Sequence, residues 1–279
     1  MLTTKSFIIK GSLEKEILLD VTFNNNSFKK QLVIFSHGFK GFKDWGPFNT
    51  MAKSFANENF FFLKFNFSHN GTSIDNPCNF NDLESFGNNN FSIELDDLNL
   101  IINWIINNEH FAKEIDINNI NLLGHSRGGA ISILKASEDN RINKVISWAS
   151  PSDFTNRMDD SKISLWKEKG VAYVFNSRTN QNMPMYYQFY EDCIKNSKRI
   201  DIKIACKNLN IPHLVIHGTD DPTVSISDAH DFKKWNSNTE IFEIKDANHV
   251  FGIMHPYSLD NYPQHFQLTL DKTFKFLKA

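Results

Sequence analysis

Gly124-His125-Ser126-Arg127-Gly128-Gly129 is the segment whose residue types and spacing point most directly to chemistry. A serine with glycine two residues away on either side suits a tight turn that lifts the hydroxyl clear of the backbone. The glycines are required because strand and helix pass too closely there for side chains. The run Ile120-Asn121-Leu122-Leu123 precedes this turn and a helical stretch, residues 126–137, follows it. Ser126 is therefore predicted at the end of a strand and the start of a helix, whose N-terminus favours negative charge. This is where a nucleophile for acyl transfer belongs.

A serine alone is a weak nucleophile. It needs a base to take its proton and a carboxylate to orient that base. Asp220 and Asp221 follow the apolar run 213–217 and Gly218, just past a strand's carboxyl end, which is the ligand-binding edge of an open α/β sheet. Either can serve as the acid. Among ten histidines, His249 lies in Asp246-Ala247-Asn248-His249-Val250-Phe251-Gly252, directly after the run 240–244. Small or polar residues before it and an apolar residue after it suit a loop that projects an imidazole. His255, before Pro256, is the alternative, and His230 reads as a surface residue in mid-helix. His125 is expected to turn its ring away from the elbow. His37-Gly38-Phe39 closes the run 31–36. A turn there can aim the Phe39 N–H at a substrate carbonyl oxygen, with the Arg127 N–H as the second donor. The His37 imidazole itself is read as holding the loop.

The elements that must position these groups alternate along the chain. Residues 6–10 and 16–23 read as a starting antiparallel pair. Apolar runs at 31–36, 60–67, 119–123, 144–149, 213–217 and 240–244 read as further strands. Leu95, Leu98, Ile101 or Ile102, and Ile105 recur at helical spacing, and 126–137, 225–235 and 264–277 are also helical candidates. This order predicts one α/β domain over 1–279, with a mostly parallel eight-stranded sheet and helices on both faces. Two stretches break the rhythm. Residues 68–90 are polar, Gly- and Asn-rich and without periodicity, and read as a loop. Residues 152–210 carry Trp166, Tyr173, Phe175, Tyr186, Tyr187, Phe189 and Tyr190. They read as a small helical cap inserted after the sixth strand, over the active-site edge. Tyr186, Tyr187 and Tyr190 are the expected lining of an acyl pocket.

Composition narrows the function. The chain has 279 residues, with Lys+Arg 30 against Asp+Glu 32 and a net charge of −2. No basic excess is available to neutralise nucleic-acid phosphates. Hydrophobic residues at 41% and charged residues at 22% suit a folded protein rather than a disordered one. Cys78, Cys193 and Cys206 are odd in number and widely spaced. They make neither a disulfide framework nor a metal site, and no HExxH motif is present, so no metal and no cofactor is expected. No apolar run approaches about 18 residues, and the first residues lack a signal-peptide core. The expectation is a soluble cytoplasmic protein with a small-molecule partner.

In chain order, His37-Gly38-Phe39, Gly124-His125-Ser126-Arg127-Gly128, Gly218-Thr219-Asp220-Asp221 and Asn248-His249 span nearly the whole sequence. On these residues the chain resembles the α/β-hydrolase superfamily of serine hydrolases. Within it, the chain looks most like small bacterial esterases of the dienelactone-hydrolase and cinnamoyl- or feruloyl-esterase type. The resemblance implies the order nucleophile, acid, base, leaving His230, His249, His255 and His265 as bases. The spacing from Gly218 through Asp221 to Val224, common after this strand in such hydrolases, favours Asp221 over Asp220. Phe67-Ser68-His69-Asn70-Gly71-Thr72-Ser73 is similar to the D-x-R-G-x-G-x-S turn of many members, with Asn66 or Ser68 replacing its usual acidic and basic residues. The implied activity is carboxylic-ester hydrolysis through an acyl-enzyme, with Ser126, His249 and Asp221 as triad. A thioesterase, amidase or peptidase with the same triad is the alternative within chemistry. A catalytically inactive binding module is the alternative from another class. A dehalogenase or epoxide hydrolase needs Asp at the elbow, where this chain has Ser126.

Overall fold

The computed structural model describes residues 1–155 and 160–279. It opens with β1 (Leu2–Lys10) and β2 (Glu16–Asn24), followed by β3 (Lys30–Ser36), α1 (Phe48–Asn57), β4 (Phe61–Phe65) and α2 (Leu83–Asn88). Then come α3 (Phe91–Ile106), β5 (Ile115–His125), α4 (Arg127–Glu138) and β6 (Ile142–Trp148). The insertion holds α5 (Asp160–Lys169), β7 (Val171–Asn176), β8 (Gln181–Tyr186), α6 (Gln188–Lys195) and α7 (Ile202–Asn208). The chain closes with β9 (His213–Gly218), α8 (Ile226–Trp235), β10 (Thr239–Ile244) and α9 (Gln264–Lys278).

Eight strands form one sheet in the order β1-β2-β4-β3-β5-β6-β9-β10. Only β2 runs against its neighbours. This is the α/β-hydrolase fold, as the strand and helix pattern predicts. Both faces of the sheet's centre are covered, so β3, β4 and β9 are buried along nearly their whole length rather than on one face. The period of two is still visible in where the side chains go. Leu32 and Ile34 of β3 pack with α3, α4 and α8 residues such as Leu98, Ile131 and Phe232. Val33 and Phe35 pack with Phe48, Met51 and Phe55 of α1 and Phe266 and Leu270 of α9.

β3 has β4 on one side and β5 on the other, so the strand order reverses there. A crevice opens at the carboxyl ends of the strands at such a point. The loop after β3, residues 37–47, crosses this crevice and is pinned from below. Lys43 Nζ lies 2.7 Å from Asp20 Oδ2 and 2.7 Å from Asp44 Oδ2, and Lys64 Nζ lies 2.6 Å from Asp20 Oδ2. Burial would raise the Asp20 carboxyl, but Lys64 and Lys43 outweigh it and hold it below the usual carboxylate range.

Three elements differ from the sequence reading. α1 is a helix in which Phe48, Met51, Ala52, Phe55 and Ala56 are buried. The polar stretch 68–90 is not loop throughout. It ends in α2, capped by Asp82, whose side chain accepts the Ser85 N–H. The insertion 152–210, of which 156–159 lie outside the described residues, is mixed rather than helical. Its centre is the antiparallel hairpin β7–β8. Val171, Tyr173, Val174 and Phe175 are β-branched or aromatic and suit a strand. Pro184 fits because a two-stranded ribbon has only edge strands. Among the described residues no helix is long and apolar enough to cross a membrane.

Candidate active site

Ser126 sits between β5 and α4 with φ 55° and ψ −125°, a backbone region that non-glycine residues rarely occupy. The turn holds because its flanks touch. A Cβ on Gly124 would stand 2.1 Å from the Gly128 carbonyl oxygen, and one on Gly128 would stand 2.2 Å from the Ser36 carbonyl oxygen. The Ser126 N–H donates to the Trp148 carbonyl at 2.8 Å, tying the elbow to β6.

Asp221 stands on the turn after β9. Its Oδ1 accepts the Thr223 N–H at 2.8 Å and the Val224 N–H at 2.9 Å. Its Oδ2 lies 2.7 Å from His249 Nδ1 and 3.3 Å from His217 Nε2. Burial would raise this carboxyl, but hydrogen bonds from His217, His249 and the Val224 amide prevail and hold it well below the usual range. Asp220 turns aside and accepts the Thr219 hydroxyl at 3.0 Å. The acid turn and the histidine loop meet at Gly218, where a Cβ would lie 2.1 Å from the Ala247 carbonyl oxygen.

His249 Nε2 lies 3.0 Å from Ser126 Oγ. A carboxylate can only accept, so Nδ1 carries the proton toward Asp221. Nε2 is then the acceptor for the serine hydroxyl. The structure thus brings Ser126, His249 and Asp221 into one relay. The other candidate histidines lie elsewhere. His230 Nε2 pairs with Glu243 on the surface at 2.9 Å, and His255 Nδ1 accepts the Gly46 N–H at 3.0 Å. His265 is in the first turn of α9.

Two imidazoles brace the site. His37 Nε2 accepts the Phe67 N–H at 3.3 Å, so its Nδ1–H donates to the Gly38 carbonyl at 2.9 Å. Burial pushes its pKa down to about 4, so the ring is a neutral fastener of the 37–47 loop. His125 departs from expectation. Its ring turns toward the loop that carries His249, and Nε2–H donates to the His249 carbonyl at 2.8 Å. Burial and then the nearby His249 lower its pKa to about 3.

Ser126 separates two cavities. One of 280 Å³ is apolar and aromatic, with Phe39, Phe91, Phe154, Met185 and Phe189 in its wall. The other, of 380 Å³, is lined by His249, Trp45, Lys40, Asn176 and Arg178. Tyr186, Tyr187 and Tyr190 line neither cavity. Tyr186 donates its hydroxyl to Glu84 at 2.5 Å, and Tyr187 and Tyr190 pack on each other and on Trp166. The reason is alternation: Met185 and Phe189 take the inward faces of β8 and α6.

Sequence reasoning also missed Arg127's side chain. Its guanidinium lies 4.0 Å from the Phe39 ring centroid, 5.0 Å from Phe91 and 5.7 Å from Phe189. It pairs with buried Glu94 at 3.3 Å. It therefore wedges the 37–47 loop against α3 and the insertion. His217 was missed too, because the chain order nucleophile, acid, base admits only histidines after Asp221 as the base. Its signal was its place in the run 213–217 at the strand's carboxyl end.

Comparison with known proteins agrees with this architecture. The BD-FAE family model matches residues 19–236. Est1E from Butyrivibrio proteoclasticus superposes with a TM-score of 0.69 at 15% identity, covering 98% of this chain and 97% of that one. A second Est1E structure, with ferulic acid bound, gives the same TM-score of 0.69 at 15% identity over 99% and 95% of the two chains. Dienelactone hydrolase from Anabaena variabilis superposes with a TM-score of 0.64 at 12% identity, over 99% and 97%. No curated protein matches the chain.

Proposed function

The chain belongs to the BD-FAE family of esterase-type α/β hydrolases, and we propose that it hydrolyses carboxylic esters by a Ser126–His249–Asp221 triad through an acyl-enzyme. The observation that carries this reading is the relay itself, with Ser126 Oγ 3.0 Å from His249 Nε2 and His249 Nδ1 2.7 Å from Asp221 Oδ2. Ser126 attacks the ester carbonyl while its proton passes to His249 Nε2. Asp221 stays ionised and stabilises the imidazolium. The Phe39 and Arg127 N–H groups face the charge that develops on the carbonyl oxygen. In support, the 37–41 segment crosses directly over the nucleophile, where a Cβ on Gly38 would lie 3.0 Å from the Ser126 Cβ. His249 next protonates the leaving alcohol. It then deprotonates the water that releases the acid.

The aromatic cavity is assigned to the acyl group. Phe39, Phe91, Phe154 and Phe189 offer ring faces and edges to a planar aryl acyl chain. Est1E, one of the superposed structures, holds ferulic acid, an acid of that shape.

The test is hydrolysis of p-nitrophenyl esters from acetate to decanoate, together with an aryl acyl ester, by wild type and Ser126→Ala. The expected loss in the variant is about 10⁴-fold or more, with the aryl ester preferred by wild type. A fluorophosphonate probe labels wild type and not the variant. Equal rates in the two proteins, or no labelling of wild type, would overturn the reading.

A further inference from the structure

We propose that the cavity on the His249 side of Ser126 is a subsite for an oxyanion group, a carboxylate or phosphate, carried by the alcohol half of the ester. This rests on the hydrolase reading above and adds the charge of the leaving group.

The side follows from proton transfer. His249 must hand its proton to the leaving oxygen, so the alcohol lies against His249. The 380 Å³ cavity is lined by His249, whereas His249 is not in the wall of the aromatic cavity.

The charge follows from an imbalance. Lys40 and Arg178 line this cavity, and no Asp or Glu is among its described lining residues. Neither cation has a carboxylate partner among the described residues. Lys40 Nζ donates to the Phe175 carbonyl at 3.2 Å, and Arg178 Nη2 donates to the Lys40 carbonyl at 3.1 Å. Other cations at the crevice are built differently. Lys43 and Lys64 share Asp20, and Arg127 has Glu94. Burial lowers the Lys40 pKa and the neighbouring Arg178 lowers it further, which is the mark of two like charges held together. An oxyanion between them removes that repulsion.

The position is held rather than incidental. Arg178 stands on the turn joining β7 and β8, with its guanidinium 5.3 Å from the Phe42 ring centroid and 5.6 Å from that of Phe80. Asn176, at the end of β7, lines the same cavity and is only 4% exposed. Its Nδ2 is buried without a hydrogen-bond partner. A buried donor left unmade is costly, and an oxyanion supplies the acceptor. Guanidinium fork, ammonium and amide together form a donor set suited to such a group.

The experiment compares cinnamoyl esters of 3-hydroxybenzoate, of 3-hydroxyphenyl phosphate and of methyl 3-hydroxybenzoate. Each rate is normalised to alkaline hydrolysis, at low and high salt. Wild type is expected to favour one or both anionic esters over the neutral one in kcat/KM by about tenfold or more. Arg178→Gln and Lys40→Gln should each bring that ratio toward one, as should high salt. Preference for the carboxylate or for the phosphate ester identifies which oxyanion the subsite takes. A wild-type ratio of one or less, or a ratio that neither substitution changes, overturns the proposal. If no ester is turned over, the hydrolase reading fails separately, and binding then decides. Calorimetry of 3-hydroxybenzoate, 3-hydroxyphenyl phosphate and 3-hydroxybenzamide with wild type and Arg178→Gln should show an anion preference that the substitution removes. Equal binding of anion and amide, or none of either anion, sinks it.

Discussion

At Gly124 an added Cβ would stand 2.1 Å from a backbone oxygen, whereas at Gly170, in the insertion, nothing lies within 4 Å of it. The two glycines mark two ways of building. At the sheet edge, turns are held by backbone passing against backbone, as at Gly124, Gly128 and Gly218. There geometry dictates residue type. The insertion is held by side chains. Phe154 stacks on Phe91 at 3.8 Å and Trp166 on Phe189 at 6.2 Å, contacts that other apolar residues could replace at modest cost.

The largest effect should come from breaking that contrast directly. Gly124→Ala must drive a methyl into the backbone of α4, and neither side can yield. We expect a loss above about 3 kcal/mol in urea unfolding, or no cooperative fold at all. Gly170→Ala meets only its positive φ of 71°, and should cost about 1 kcal/mol. Equal losses at the two sites would remove the distinction.

The same contrast explains what could be read from sequence. Ser126 and Asp221 were legible as candidates because each sits on a short turn beside a strand whose glycines, Gly124 and Gly128 or Gly218, admit little else, and His249 because its loop follows the last strand. The central parallel strands were legible because burial on both faces makes their cores apolar, as in β3, β4 and β9. α1 is hard to read from sequence, although Phe48, Met51, Ala52, Phe55 and Ala56 follow helical spacing. Its aromatic residues blur a period count, and Pro47 precedes it without a side-chain cap. The hairpin β7–β8 was hidden because its two strands are only six residues each, too short for their alternation to stand out among the insertion's aromatics. The cavity walls were hidden for a deeper reason. Phe39, Phe91, Phe154, Met185 and Phe189 come from five separate segments, and only tertiary packing brings them together. The wedge made by Arg127 and Glu94 is of the same kind.

An intermediate effect should appear in acid. The insertion, residues 152–210, contains no histidine, while the sheet and its edge bury His37 and His213 and half-bury His125. Burial lowers His37 from 6.5 to about 4, and lowers both His125 and His213 from 6.5 to about 3. The unfolded chain protonates these rings below about pH 6.5 and the folded chain does not until its lower values are reached. Stability is therefore full above pH 6.5 and falls as the pH drops toward 4, by up to about 1.4 kcal/mol per pH unit for each ring that stays neutral. Unfolding free energies from urea titrations at pH 7.5 and 5.0 measure this, and the expected drop is up to about 2 kcal/mol for each ring. A free energy that does not move would mean that these imidazoles are not held neutral.

The smallest effect lies in the insertion and concerns selectivity rather than folding. Phe189 is 4% exposed, lines the aromatic cavity, and meets Phe91 at 4.8 Å between ring centroids. Tyr187, two residues earlier, turns the other way and meets Tyr190 at 5.6 Å and Trp166 at 6.1 Å. Phe189→Ala should lower the ratio of kcat/KM for an aryl acyl ester over acetate by about tenfold, since removing a ring from a binding wall is worth one to a few kcal/mol. Tyr187→Ala should move that ratio by less than about twofold. The pair separates two uses of aromatic residues that composition cannot distinguish, a wall for substrate and a core for the insertion itself. If Tyr187→Ala shifted the preference and Phe189→Ala did not, the acyl group would have to lie outside the 280 Å³ cavity, on the tyrosine face of α6.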